Sequence, residues 1–377
     1  MSDKASSSRK TVVVVGGGSA GVNAARALSQ SLDRSRYNLI LINPRPYRIA
    51  LPAALRMVVT DEPKLEDTAL ITYENLFHNG NGTFKQGSVE SISQKPGSER
   101  GVLTLKGGEE IGYDALALAP GSLWEGPIDF PDDDKEVRRY ISHHRAKFSK
   151  AKSIILAGGG AVGVELAGEI KDAWPEKQVT IVHNARLLLN DAYPDKFRTE
   201  VAKIMQTRGV NVITGDHVES IPAEPIEKVV TRAGKPLIAD LVLGTRGPKP
   251  NTGFVRTLGS ETLTARGFVK VKPTLQLQQF PNIFAAGDVI DWDEQKQAAK
   301  SSGHGKLVAQ NIASYFERRP LKEYKSGAEM IALTNGKAGG MTYFNVMWGL
   351  MLGAWFTSAV KSKTLLVPMF RKESGLV

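Results

Sequence analysis

The sequence predicts an α/β fold: two doubly wound parallel-sheet units and a small C-terminal α+β segment. Three observations carry that prediction. The first is Thr11–Gly21, where a valine run reads as a buried parallel strand. Gly16, Gly18 and Gly21 then fall at G-x-G-x-x-G spacing before an Ala-rich helix expected at Val22–Leu32. The second is Ser153–Gly168, where Gly158, Gly160 and Gly163 repeat that spacing, again between an apolar strand and an Ala-rich helix. The third is Asn282–Val289, an apolar strand ending in Gly287-Asp288. One glycine turn alone is weak evidence. Two in strand–turn–helix context, with room for a whole domain between them, specify two Rossmann-like dinucleotide-binding domains.

Each glycine has a physical task in such a turn. Gly16 permits the tight bend, Gly18 lets the backbone approach a pyrophosphate, and Gly21 lets the helix pack close to its strand. The phosphates would sit on the free N–H groups of the helix start, at Ser19 and Ala20.

Composition narrows the chemistry. At 377 residues, 41% hydrophobic and 23% charged, the chain is globular and long enough for two or three domains. It contains no cysteine. Structural disulfides, thiolate zinc sites, iron–sulfur clusters and dithiol redox centres are therefore excluded, and no metal site is expected. Met1–Lys10 is Ser- and Lys-rich without an apolar run, so it reads as a short polar arm and not a secretory signal; Ser2 excludes N-myristoylation.

In chain order, Tyr37–Asn43 is the expected second strand of the first unit. Asn43 stands at its end, where an acid would bind ribose hydroxyls. An amide oxygen can accept one such bond, without the strength of a carboxylate. Pro44, Pro46 and Pro52 predict a loop followed by a short helix over Ala53–Val59. Short strands are expected at Phe84–Val89, Ser91–Gln94 and Val102–Leu105, and an apolar strand in Tyr113–Gly121 ends at Pro120-Gly121, where the chain could change domain. The charged stretch Asp132–Lys150 reads as an exposed helix or linker.

The second unit continues with a strand at Gln178–His183, a helix at Lys196–Gly209, a strand at Val210–Thr214 and the run Leu237–Leu243. His183 ends its second strand and Arg186 follows. A carboxylate there would repel a 2′-phosphate, whereas this pair would not, so NADPH is expected alongside NADH. The plainer alternative makes His183 an ordinary strand-end residue. Gly244–Asn251 marks the return crossing, with Gly247 in its turn, and Gln297–Phe316 is a helix.

The net charge is +10, and from Arg318 onward nine basic residues stand against three glutamates. That asymmetry suits an anionic membrane surface or nucleic acid; a solvated basic face is the plain alternative. Ala338–Val360 carries no charge over 23 residues and includes Trp348 and Trp355. Its length makes it a membrane-span candidate, but its threonines, serine and glycines leave it only moderately apolar. Membrane-surface docking, or burial in the core or a homodimer interface, are the other readings.

The order of these motifs resembles a family. The first glycine turn, Ala119-Pro120-Gly121, the second turn, Gly247-Pro248-Lys249-Pro250-Asn251 and Phe284–Asp288 together look like the two-dinucleotide-binding-domain flavoproteins. Within these, the likeness is to the apoptosis-inducing-factor-like, ferroptosis-suppressor NAD(P)H:quinone oxidoreductases, relatives of type II NADH dehydrogenases. It extends to Ala53–Arg56, Val164-Glu165, Glu169–Lys171 and Tyr324-Lys325. The resemblance implies an FAD-binding domain over 10–124 and 248–323, an NAD(P)H-binding domain over 125–247, and a C-terminal membrane-docking or interface domain over 324–377. It implies FAD at Gly16, Gly18, Gly21, Asn43, Gly121 and Asp288, with Arg56 and Gly247 as further cofactor-binding residues. NADH or NADPH would lie at Gly158, Gly160, Gly163 and Glu165, with His183 near the adenosine ribose. Asn43 in place of an acid, Pro120 in place of a Thr and Arg246 in place of a Thr depart from the pattern.

The implied reaction is hydride transfer from nicotinamide to flavin, followed by two-electron reduction of a quinone at a membrane surface. Lys296 and Lys300 are candidates for stabilising negative charge on the reduced flavin. Glu165 is a further candidate near the chemistry, while His304 either faces the flavin or is a satisfied structural histidine. Rival readings are a redox-gated DNA-binding protein and a soluble reductase of ferredoxin or monodehydroascorbate. Without an interleaved basic–aromatic run, nucleic acid is the weaker partner. The expected location is intracellular: the cytoplasmic face of a membrane or lipid droplet, or the mitochondrion, not secretion.

Overall fold

A computed structural model describes residues 9–61, 63–222 and 228–376. Most of the expected polar arm, residues 1–8, therefore lies outside the described residues; Lys10 already begins the first strand.

The first unit is a five-stranded parallel sheet ordered Ile283–Ala285, Ala115–Leu118, Lys10–Val15, Tyr37–Asn43, Thr83–Gln86. Val12, Val13 and Val14 are fully buried at its centre, as a parallel strand covered on both faces requires. Helices Ser19–Ser31 and Ala298–Phe316 pack together on this sheet. The first begins three residues earlier than Val22, directly after Gly18, with Gly21 taken into its first turn despite glycine's low helix propensity. An antiparallel layer, Val89–Ser93, Gly101–Leu105 and Glu110–Tyr113, adjoins the unit.

The second unit is a four-stranded parallel sheet ordered Val210–Thr214, Gln178–His183, Ser153–Ala157, Leu241–Gly244. The Leu237–Leu243 run is not one strand. Pro236-Leu237 pairs with Val229-Val230, and Leu241–Gly244 starts afresh after Asp240, whose carboxylate accepts from Lys152 N–H at 2.8 Å and Ser153 N–H at 2.9 Å. The charged stretch before this sheet forms the helix Asp134–Lys150, N-capped by Asp133.

The chain leaves the first sheet after Leu118 and returns after Gly244. The two crossings pair with each other as an antiparallel ribbon, Ser122↔Pro250 and Leu123↔Lys249. Arg246 ties them further, its guanidinium reaching both oxygens of Glu125.

Among the described residues, no helix is long and apolar enough to cross a membrane. Ala338–Val360 instead contributes to a three-stranded antiparallel sheet, Met330–Asn335, Gly339–Phe344 and Leu350–Leu352, and to the short helix Ala354–Thr357. Length alone suggested a span; Gly349, at φ +94°, helps turn the chain back on itself. Leu333 and Tyr343 of this sheet, with Val367 and Phe370 beyond it, share a core with the second sheet and the helix Leu51–Val59.

Candidate functional site

Both glycine turns have the same construction. Gly16 N–H donates to Ile42 O at 2.8 Å, and Gly158 N–H donates to Val182 O at 2.9 Å, each reaching the neighbouring strand. Gly16 has φ +100°, and a Cβ there would lie 2.1 Å from Ala119 O; at Gly158 it would lie 2.4 Å from Thr245 O. No other residue fits such contacts. Gly21 and Gly163 bring their helices against the turns, where a Cβ would meet Gly16 O at 1.7 Å and Gly158 O at 2.0 Å. Gly18 and Gly160 face open space instead. They are the N-caps of Ser19–Ser31 and Ala161–Ala173, neither of which has a side-chain cap or an acid in its first turn. Both starts therefore present free N–H groups and the positive end of a helix dipole.

These starts open into one cavity of ≈ 1750 Å³, lined by Gly16, Gly18, Ser19, Ala20, Gly158 and Gly160 among others. It exceeds the usual single-ligand pocket of about 300–1,000 Å³ and has room for two dinucleotides. Gly121 and Gly247, both with positive φ in the crossings, also line it.

The strand-end residues act on the turns themselves. Asn43 Oδ1 accepts from Gly17 N–H at 2.9 Å, and its Nδ2 donates to Arg45 O at 2.8 Å. Likewise, His183 Nδ1 accepts from Gly159 N–H at 3.1 Å, and its Nε2 faces Leu189 O at 3.2 Å. That arrangement fixes the neutral ring with its proton on Nε2, and burial pushes its pKa down. His183 lines the cavity beside the second turn, while Arg186 is engaged with the Asp195 carboxylate.

Asp288 lines the cavity, with Oδ2 accepting from Ser122 Oγ at 2.7 Å and Oδ1 from Ser301 Oγ at 3.3 Å. Lys296 also lines it, but its ammonium donates to Ile290 O at 3.0 Å and Trp292 O at 2.9 Å, and burial lowers its pKa. Glu165 lies in the wall where the second turn meets the C-terminal sheet. Its Oε1 accepts from Lys361 Nζ at 2.6 Å and Thr334 N–H at 2.8 Å.

Three other candidates do not line the cavity. Lys300 sits between Glu329 and Glu294, so it is corrected from a flavin-facing cation to part of a buried charge cluster. Arg56 is likewise corrected from a cofactor ligand to a buried joint, bidentate to Glu169 at 2.7 and 2.8 Å and donating to Ser362 O at 2.9 Å. His304 is buried, with Nδ1 accepting from Gly287 N–H at 3.2 Å and Nε2 2.9 Å from Glu294 Oε1, which is the structural reading.

Sequence reasoning missed Arg48 and Lys361, both in the lining. Arg48 carried a faint signal, a basic residue just after the strand that ends at Asn43.

Two uncapped helix starts on two parallel sheets, facing one cavity with an aspartate on a returning strand, define a two-dinucleotide oxidoreductase. The Pyridine nucleotide-disulphide oxidoreductase family model matches residues 10–305, and the chain belongs to that family. It is 45% identical over 320 residues to "FAD-dependent oxidoreductase FVFD30" of Flammulina velutipes, covering 85% of this chain and 99% of that protein. It is 32% identical over 368 residues to "Ferroptosis suppressor protein 1" of Mus musculus, covering 94% and 93%. The sulfide:quinone oxidoreductase of Aquifex aeolicus shares the fold at TM-score 0.77 and 18% identity, covering 97% of this chain and 91% of that one.

The protein is accordingly an FAD-dependent NAD(P)H oxidoreductase, and its first turn fits FAD. Gly18 is open, the helix start is uncapped, and the buried Arg48 Nε has no partner among the described residues. When bound, FAD supplies the hydride-accepting and electron-donating chemistry. The paired turns at Gly16–Gly21 and Gly158–Gly163 would hold the two dinucleotides. The family name notwithstanding, a chain without cysteine supplies no protein dithiol to the reaction.

Proposed function

We propose that the protein is an NAD(P)H:quinone oxidoreductase working at a membrane surface, by the balance NAD(P)H + H⁺ + quinone → NAD(P)⁺ + quinol. The supporting observation is the C-terminal sheet. Its Met330–Leu333 stretch forms a cavity wall with Trp292, Leu366 and Phe370. Its outer turn and following helix leave Met347 79%, Trp348 fully and Trp355 84% exposed. Exposed tryptophan and methionine on one edge suit the headgroup level of a bilayer, where a lipid-soluble acceptor would be met. The same segment thus borders the redox cavity and bears the apolar edge.

The test is turnover with NADH and NADPH against a short-chain ubiquinone in anionic vesicles, and against a soluble dye. Met347→Ser with Trp348→Ser is expected to weaken vesicle binding about tenfold or more and to slow quinone reduction, with dye reduction kept. Absence of quinone turnover, equal loss with both acceptors, or a dimer that these changes dissociate without affecting vesicle binding would overturn the proposal.

A further inference from the structure

The helix Val367–Glu373 is remote in sequence from the first glycine turn, yet it closes over it. Glu373 Oε2 accepts from Arg48 Nη1 at 3.1 Å, and Oε1 accepts from Ser302 Oγ at 2.9 Å. Ser302 Oγ accepts in turn from Asn23 Nδ2 at 3.2 Å, anchoring Glu373 to the helix that opens at Ser19. The Arg48 guanidinium lies over the Phe370 ring, 4.4 Å from its centroid, and Nη2 donates to Ser19 Oγ at 3.0 Å. Its side chain is 1% exposed. Ser19, Arg48 and Phe370 all line the cavity.

This is more than a surface ion pair. A guanidinium has five N–H donors, and Arg48 commits one to Glu373 and one to Ser19, with Nε orphaned in the interior. Buried donors without partners are costly unless a ligand satisfies them. Arg48 Nη2 reaches Ser19 at an uncapped helix start with no acid in its first turn, and both residues line the cavity, so hydrogen bonding and the helix dipole favour an anion there.

We propose that Arg48 binds the pyrophosphate of FAD, and that Glu373 and Phe370 of the C-terminal helix hold its guanidinium in place. FAD loading and docking of that helix then stabilise each other, by the reciprocity that binds any two linked equilibria. Arg48 and Glu373 are a binding residue and a positioning residue, respectively. The proposal depends on FAD alone and on nothing about the second substrate.

The experiment uses full-length protein stripped of FAD and titrated with FAD, and limited proteolysis of the tail in both forms. Arg48→Met is expected to raise the FAD Kd about tenfold to a hundredfold, and Arg48→Lys, which keeps the charge without the fork, by less. Glu373→Ala is expected to raise Kd about threefold to tenfold and to speed cleavage within 354–376. FAD should slow that cleavage in the parent protein and much less in Glu373→Ala. A parent tail whose cleavage ignores FAD would overturn the proposal. So would Arg48→Met within twofold of the parent Kd, or, should that variant not fold, Arg48→Lys and Glu373→Ala both at parent Kd.

Discussion

Replacing Arg56 by methionine should destabilise the protein severely, and the reason is the partner left behind. Arg56 on Leu51–Val59 grips Glu169 on Ala161–Ala173 through two bonds, and both side chains are 4% exposed. A third bond reaches Ser362 O, so one guanidinium joins three segments. Removing one member of a buried pair typically costs about 3–5 kcal/mol, because the other charge stays buried without compensation. Arg56→Met is expected to lose that much at pH 8 in urea unfolding with an unchanged m-value, whereas Arg56→Met with Glu169→Leu should recover most of it. The pH dependence supplies a second check. Burial already pushes the Glu169 carboxyl above its ordinary value of 4.5 against the opposing pull of Arg56, and without Arg56 it rises further. A carboxyl raised in the folded state binds more protons there than in the unfolded chain, so its contribution is lost as pH rises through the folded pKa. The deficit of Arg56→Met should therefore shrink on acidification from pH 8 towards about pH 5. A loss under about 1 kcal/mol, or a double variant as unstable as the single one, would refute the reasoning.

Two further outcomes are expected. Lys177 Nζ donates to Phe148 O and Ser149 O at 2.7 Å and to Ala151 O at 2.6 Å, capping the end of Asp134–Lys150; Lys177→Met should lower stability by about 2–3 kcal/mol, read as a fall in Tm. His183 has its folded pKa below 6.5, so the unfolded chain binds the extra proton first and stability falls as pH drops through about 6.5. Protonation at Nδ1 also ends its bond from Gly159 N–H, so the KM for NAD(P)H should rise on the acid side, and His183→Asn should flatten that rise.

The glycine turns were legible because their constraint is local: a Cβ at Gly16 or Gly158 meets backbone a fixed distance away, whatever the rest of the chain does. The strands Tyr37–Asn43, Gln178–His183 and Val210–Thr214 were legible for the same reason, their apolar pattern being set by burial. Arg48 was not, since its meaning comes from Glu373, 325 residues away. His183 was found by its strand-end position, but that its ring nitrogens turn back onto Gly159 and Leu189 depends on a loop contact that the strand pattern does not encode. Lys300 follows Asp288 closely in sequence, but the helix carries it towards Glu329 and Glu294. The tail's uncharged stretch could not reveal from composition that it folds as a hairpin against the second sheet.

The pairing of Ala115–Leu118 with Ile283–Ala285 has a consequence for biosynthesis. The edge of the first sheet cannot close until the whole of the second unit has been translated, a delay of roughly ten to thirty seconds at about 5–20 residues per second. Every strand of the second sheet emerges within that interval, ending with Leu241–Gly244. The middle of the chain can therefore mature first at the ribosome. It would hold the two crossings side by side through Ser122↔Pro250, so that the late strand arrives next to the edge awaiting it.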